Sequence, residues 1–196
     1  MPRSLVYEVG VNDWVGTTYI DGRDIWNIKL WRDMLRRCYS ERWLSTRSPA
    51  YKGVTCDPNW LYATKFYEDI VQIDDWERYQ SDGWCLDKDL LSVDGKLYSK
   101  DTCCFIPNEI NKALIDNVRI RGDYPRGVSL NPRDKVIVVR ASFKGKERIL
   151  ARGVSPEDGF KIYCEFKHEC FNKLADEYEG IVSERVVRAL REYRIT

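Results

Sequence analysis

Between Gly127 and Tyr178 the chain passes through three β-branched runs and then a long stretch of helical periodicity, and this succession constrains the fold more than any other feature. Val128 to Leu130, Val136 to Phe143 and Arg148 to Gly153 read as strands. Gly145-Lys146 supplies a tight turn between the last two, because glycine takes positive φ without steric cost. Ser155-Pro156-Glu157-Asp158 then places a capping hydroxyl, a first-turn proline and first-turn acids at the start of a helix that runs to about Tyr178. Short strands in series pair most simply as antiparallel neighbours, and a sheet with one apolar face must cover it with another layer. A three-stranded antiparallel sheet packed on a helix is therefore expected. A shorter amphipathic helix, Ser183 to Arg194, comes next with Val186, Val187, Leu190 and Tyr193 on one side.

Upstream, the first twenty-odd residues end in Tyr19-Ile20-Asp21-Gly22-Arg23, an extended arm followed by a turn. From Ile25 to Tyr39 the apolar residues Ile25, Trp26, Ile28, Leu30, Trp31, Met34, Leu35 and Cys38 recur at three-to-four spacing, opposite Arg32, Arg36 and Arg37. That pattern predicts an amphipathic helix. Residues 40 to 58 read as a loop, with Asn59 capping a second helix over Trp60 to Ile73. Trp84-Cys85-Leu86 is strand-like, Asp94-Gly95 is a turn, and Cys103 to Ile106 leads into a helix opened by Pro107-Asn108-Glu109. Strand, turn, strand, helix is the order of a ββα unit. The turn-rich stretch of Gly122, Pro125 and Gly127 sets the domain boundary. The expected fold is α+β: residues 1–121 as N-terminal helices with a ββα core, 122–180 as the sheet and helix, and 181–196 as a C-terminal helix.

Net charge is only +1, but its distribution is uneven. Residues 126 to 153 carry eight bases, Arg126, Arg133, Lys135, Arg140, Lys144, Lys146, Arg148 and Arg152, against Asp134 and Glu147. Residues 54 to 101 hold eleven acids against five bases. One surface is thus suited to phosphates and another is not. No secretory core and no apolar run of 18 residues occurs, which points to the cytoplasm. In that compartment the seven cysteines read as reduced, mostly buried residues, and the spacing of Cys38, Cys56 and Cys103 is not that of a zinc ribbon or finger. The single histidine, His168, falls on the late helix.

The ordered matches Trp31-x-x-Met34-Leu35-x-Arg37-Cys38, Tyr51-x-Gly53-Val54, Trp60, Phe66, Leu86-Asp87-Lys88-Asp89, Tyr98-Ser99, Cys103, Phe105 and Asn111 resemble the phage HNH homing-endonuclease-like proteins. Gly127 to Lys167 resembles the Apetala-type DNA-binding domain, with its Gly-Val opening, hairpin and Pro-Glu-initiated helix. Ala151-Arg152-Gly153 departs from it where the family has glycine beside the hairpin strand.

The resemblance implies a ββα (HNH-like) core in which Asp87 and the helical Asn111 hold Mg²⁺, a hard ion that takes oxygen ligands and keeps several waters. The family's general-base histidine falls on Lys88, and its middle asparagine on Thr102. A lysine near its ordinary pKa of about 10.4 holds a phosphate but takes no proton from water. Asp89 is the alternative base within the motif. For the second domain, the resemblance implies a sheet laid in the DNA major groove. Val136, Val138, Arg140, Ser142 and Lys144 would share the outward face, while Ile137, Val139 and Phe143 turn to the helix. Arg133, Arg140, Lys144, Lys146, Arg148 and Arg152 are the outward bases, and Arg126 stands at the opening of the basic block.

Three functions are expected on these grounds. The first is a phage-type protein that binds double-stranded DNA and whose nuclease core is inactive or slow. The second is an active metal-dependent homing-type endonuclease, and the third a phage protein acting in the infected bacterial cytoplasm on a host-defence protein. The last would use the acidic block and exposed aromatics, and the low net charge favours it.

Overall fold

The protein is described by a computed structural model over residues 5–46, 51–92, 94–115 and 124–195. Helices and small sheets of two or three strands, joined by turns and irregular segments, run through these residues. They form two compact units, Met1–Ile106 and Pro107–Thr196.

In the first unit β1 (Tyr19–Ile20) and β2 (Arg23–Asp24) form a hairpin whose turn residues Asp21 and Gly22 both have positive φ, the conformation that suits the strands' right-handed twist. Helix α1 (Trp26–Tyr39) buries Ile28, Trp31, Met34, Leu35 and Cys38, the face its periodicity marks. The stretch after it is not all loop. Ser40 accepts the Trp43 N–H on its hydroxyl and the Leu44 N–H on its carbonyl, starting α2 (Glu41–Thr46). Strand β3 (Thr55–Cys56) precedes a 3-10 turn, Pro58–Leu61, where the cap is Asp57 and not Asn59: the Asp57 carboxylate accepts the Asn59 N–H at 2.8 Å. The helix expected from Trp60 begins only at α3 (Ala63–Ile70), because Pro58 tightens the preceding turn. Trp60 is wholly buried, donates its ring N–H to Asp69, and accepts the Trp31 ring N–H on its carbonyl at 2.8 Å. A short α4 (Arg78–Ser81) leads to β4 (Cys85–Asp87). Strand β5 (Leu97–Tyr98) runs parallel to β3, and β6 (Cys104–Ile106) antiparallel to β4.

The second unit begins with α5 (Asn108–Leu114). The sequence boundary at residue 122 lies outside the described residues. The compact units divide after Ile106 because α5 bonds to residues C-terminal to it. Tyr178 donates its hydroxyl to Glu109, Lys167 its ammonium to the Ala113 carbonyl, and Arg126 its guanidinium to the Leu114 carbonyl. Two cations thus meet the carbonyl end of α5, where the helix dipole favours positive charge.

Strands β7 (Val128–Leu130), β8 (Ile137–Phe143) and β9 (Lys146–Arg152) form an antiparallel sheet in that order, with helix α6 (Pro156–Tyr178) against it and α7 (Glu184–Glu192) against α6. Ser155 caps α6 by accepting the Asp158 N–H. The close approach of helix to sheet is carried by Gly159, where a Cβ would lie 2.9 Å from Val139 and 3.3 Å from Val128. The core of this unit is Val128, Val138, Val139, Ala141, Cys170, Phe171, Leu174, Val186 and Leu190.

Candidate functional site

Asp87 ends β4, its register partner on β6 being Cys104. The side chain is 4 % exposed, and one carboxylate oxygen accepts the N–H groups of Asp89 and Leu90 at 2.9 and 2.8 Å, closing the turn after the strand. Burial pushes the carboxyl up to about 6 and the neighbouring Asp89 adds to the rise, while the two N–H donors and Lys88 pull against it. Lys88 is equally buried. Its ammonium lies 4.9 Å from the centre of the Tyr51 ring and 5.6 Å from that of Tyr98, and donates to the Asp89 carboxylate. Gly95 fits beside Asp89 only as glycine, since a Cβ would run into the carboxylate.

The residues of the Asp87-Lys88-Asp89 turn are therefore committed to one another and to aromatic faces. Thr102, at the family's asparagine position, pins the loop between β5 and β6. It donates to the Leu97 carbonyl at 2.7 Å and accepts the Ser99 N–H at 3.0 Å.

As a place for a hard cation this set fits poorly. Asp87 is buried and already accepts two backbone donors, and among the described residues no three His, Cys, Asp or Glu side chains stand together as a metal-holding group. Asn111 lies half-buried on α5, in the second unit. Cys38, Cys56 and Cys103 are buried in the first unit, and burial pushes all three thiols up, Cys38 to about 12, which favours the neutral form over a metal-binding thiolate. His168, on α6, accepts a hydrogen bond from Arg194.

The other candidate is the sheet. Residues paired across strands share a face, and successive residues alternate. Val139 and Val128 meet α6 at Gly159, so Ala141 and Phe143 turn the same way, and Val138, Arg140 and Ser142 turn the other, where Val138 is wholly buried, Arg140 half-buried and Ser142 exposed. The pairing of β8 with β9 shifts between Val139↔Ala151 and Arg140↔Ile149, leaving Leu150 as an extra residue. This bulge reverses the phase of half the strand. Arg152 pairs with Val138 and stays on the outward face, but Lys146 pairs with Phe143 and Arg148 with Ala141, on the helix face. Arg148 there stands close enough to Cys170 of α6 to oppose the burial that raises its thiol.

Lys144 is not on a strand. With Gly145 it forms the hairpin turn, at φ 50° and 73°, one residue earlier than the sequence suggests, and its ammonium bonds to Glu177 of α6. Arg133 is exposed in the turn after β7, and Arg126 is half-buried against the end of α5.

Of the expected DNA contacts, Arg140 and Arg152 thus share the outward face. Beside them stand Ser142, its partner Glu147, and Ile149, which is 48 % exposed and directly opposite Arg140. Reading the sequence alone misses Glu147 and Ile149, because one unbroken alternation carried through β9 puts them on the helix face.

Among the described residues no helix is long and apolar enough to cross a membrane. No protein-family model, no curated protein and no solved structure matches the chain.

Proposed function

We propose that this chain binds double-stranded DNA through the face of β7, β8 and β9 turned away from α6, and that the β4–Asp87 turn of its first unit is the remnant of an HNH-like motif without an efficient nuclease centre. The observation that carries the reading is Arg140. It projects from the central strand, and its side chain makes no hydrogen bond or ion pair among the described residues. Arg152 on the same face has one loose contact, 3.9 Å from Asp134. A guanidinium left open on a sheet backed by a helix suits the donor pair needed for guanine O6 and N7, and suits phosphate as well.

Support for the second half comes from the turn at Asp87. A catalytic centre of this kind needs a base within reach of water and a carboxylate open to a cation. Lys88 is held between two phenol rings and a carboxylate, and Asp87 is buried under its own turn. Incubation with supercoiled plasmid in Mg²⁺, with an Asp87→Ala control, tests both halves on one gel. Retarded mobility without nicking is expected. Nicking that the control abolishes would overturn the second half, and unretarded plasmid at low salt would overturn the first. Recognition of a protein is the second reading, favoured by a half-exposed cluster of tryptophans and tyrosines on the first unit.

A further inference from the structure

Five aromatic residues from four separate segments of the first unit meet in one cluster: Trp14, Trp26, Tyr67, Trp76 and Tyr79. Trp26 is the hub. It stacks on Trp76 with centroids 5.3 Å apart and planes 23° from parallel, and touches Tyr67 and Tyr79 at 6.0 and 6.3 Å. Trp14 meets Tyr67 edge-on at 5.0 Å. None of the five is buried in the manner of Trp31 or Trp60, and all keep part of their surface in water. Val15, next to Trp14, is 91 % exposed. Tryptophan and tyrosine held rigidly and half in water are the residues from which binding hot spots are built.

The charges beside this cluster choose the partner. Asp74 and Glu77 flank Trp76, are exposed, and have no ion pair or hydrogen bond to their side chains among the described residues. The cations nearby are spent. Arg78 lies over Trp84 at 4.7 Å and pairs with Asp75 and Asp82, and Lys29, beside Tyr79, is held by Asp33 at 3.0 Å. Aromatic faces carry negative charge density and attract ammonium and guanidinium groups, and two open carboxylates add to the same field. They repel phosphate, so a nucleic-acid strand is the wrong ligand for this surface.

We infer that the Trp14–Trp26–Tyr67–Trp76–Tyr79 cluster is a docking site for a basic peptide segment of a protein partner, whose arginine or lysine side chains lie on the rings and pair with Asp74 and Glu77. The site belongs to the first unit and does not depend on DNA binding by the sheet.

The test uses the full chain and a short fluorescein-labelled peptide of alternating arginine and serine, followed by anisotropy and by tryptophan emission. A control peptide carries citrulline in place of arginine, which keeps the shape and removes the charge. The arginine peptide binds and changes tryptophan emission, and citrulline weakens it by about tenfold or more, the scale of a few cation–π and ionic contacts. Asp74→Asn with Glu77→Gln gives a similar loss. Glu165→Gln with Glu192→Gln, an equal change of net charge at exposed residues of the second unit, leaves affinity unchanged. Trp76→Leu also weakens binding, and the surface carboxylate pair keeps the test valid should that variant misfold. Absence of binding, equal binding of the citrulline peptide, or equal loss in both carboxylate pairs would overturn the inference.

Discussion

Replacing Asp87 by asparagine should stabilise the protein at neutral pH. The side chain keeps an oxygen to accept the N–H groups of Asp89 and Leu90 but loses its charge in a buried place. A carboxyl raised from 3.8 to about 6 has its ionised form disfavoured on folding by roughly 3 kcal/mol, at about 1.36 kcal/mol per pH unit. The sign depends on which state holds the proton. Between pH 3.8 and 6 the unfolded chain has released it and the folded chain keeps it, so the stability contributed by this group is present below the unfolded value and lost as pH rises through about 6. Asparagine escapes that loss but must place an amide N–H₂ where there is little water, at a cost of about 1 kcal/mol. Urea unfolding from pH 4 to 8 should therefore show Asp87→Asn near or slightly below the wild type at pH 4, and ahead by about 2 kcal/mol at pH 8. Asp87→Ala, which strands two backbone donors, should lose about 1–3 kcal/mol at pH 4, a loss that removal of the buried charge offsets at pH 8. A wild type more stable than Asp87→Asn at pH 8 would refute the reasoning, because it would mean that the ionised carboxylate is held by something worth more than its desolvation.

The bulge in β9 separates two arginines that sequence alternation treats alike. Arg140→Ala should weaken duplex binding by about 1–3 kcal/mol if it reads a base, whereas Arg148→Ala should have little effect, as anisotropy titration of each variant would reveal. Gly127→Ala places a Cβ against the Tyr163 ring at a φ of +74°, so thermal unfolding should register a loss of about 2–4 kcal/mol from backbone strain and overpacking together. Ser155→Ala removes the acceptor for the Asp158 N–H and should cost about 1 kcal/mol in the same assay.

Much of the fold is written in local chemistry. The strand from Val128 to Leu130, the Ser155 cap and the end of the long helix at Tyr178 lie where propensity and capping residues put them, because nothing distant overrides those signals. Errors arise where one residue shifts the phase of the segment beyond it. Pro58 hands the cap to Asp57 and delays α3, and Leu150 as the extra residue of a bulge turns Lys146 and Arg148 to the helix face. Neither effect leaves a periodic trace. The candidate sites divide in the same way. Arg140 and Arg152 are found by alternation, but the burial of Lys88 between Tyr51 and Tyr98 depends on residues 37 and 10 positions away in the chain. The aromatic cluster draws on segments too far apart for any window to join them.

The face of the sheet turned away from α6 is proposed to engage the phosphates and bases of duplex DNA. The most direct test of this proposal is the salt dependence of binding to a labelled duplex, for the wild type and for Arg140→Ala with Arg152→Ala. Affinity should fall steeply as salt rises, with a log–log slope shallower by about two in the double variant, roughly one for each arginine that meets a phosphate. Affinity that ignores salt, or a slope unchanged in the double variant, would contradict it.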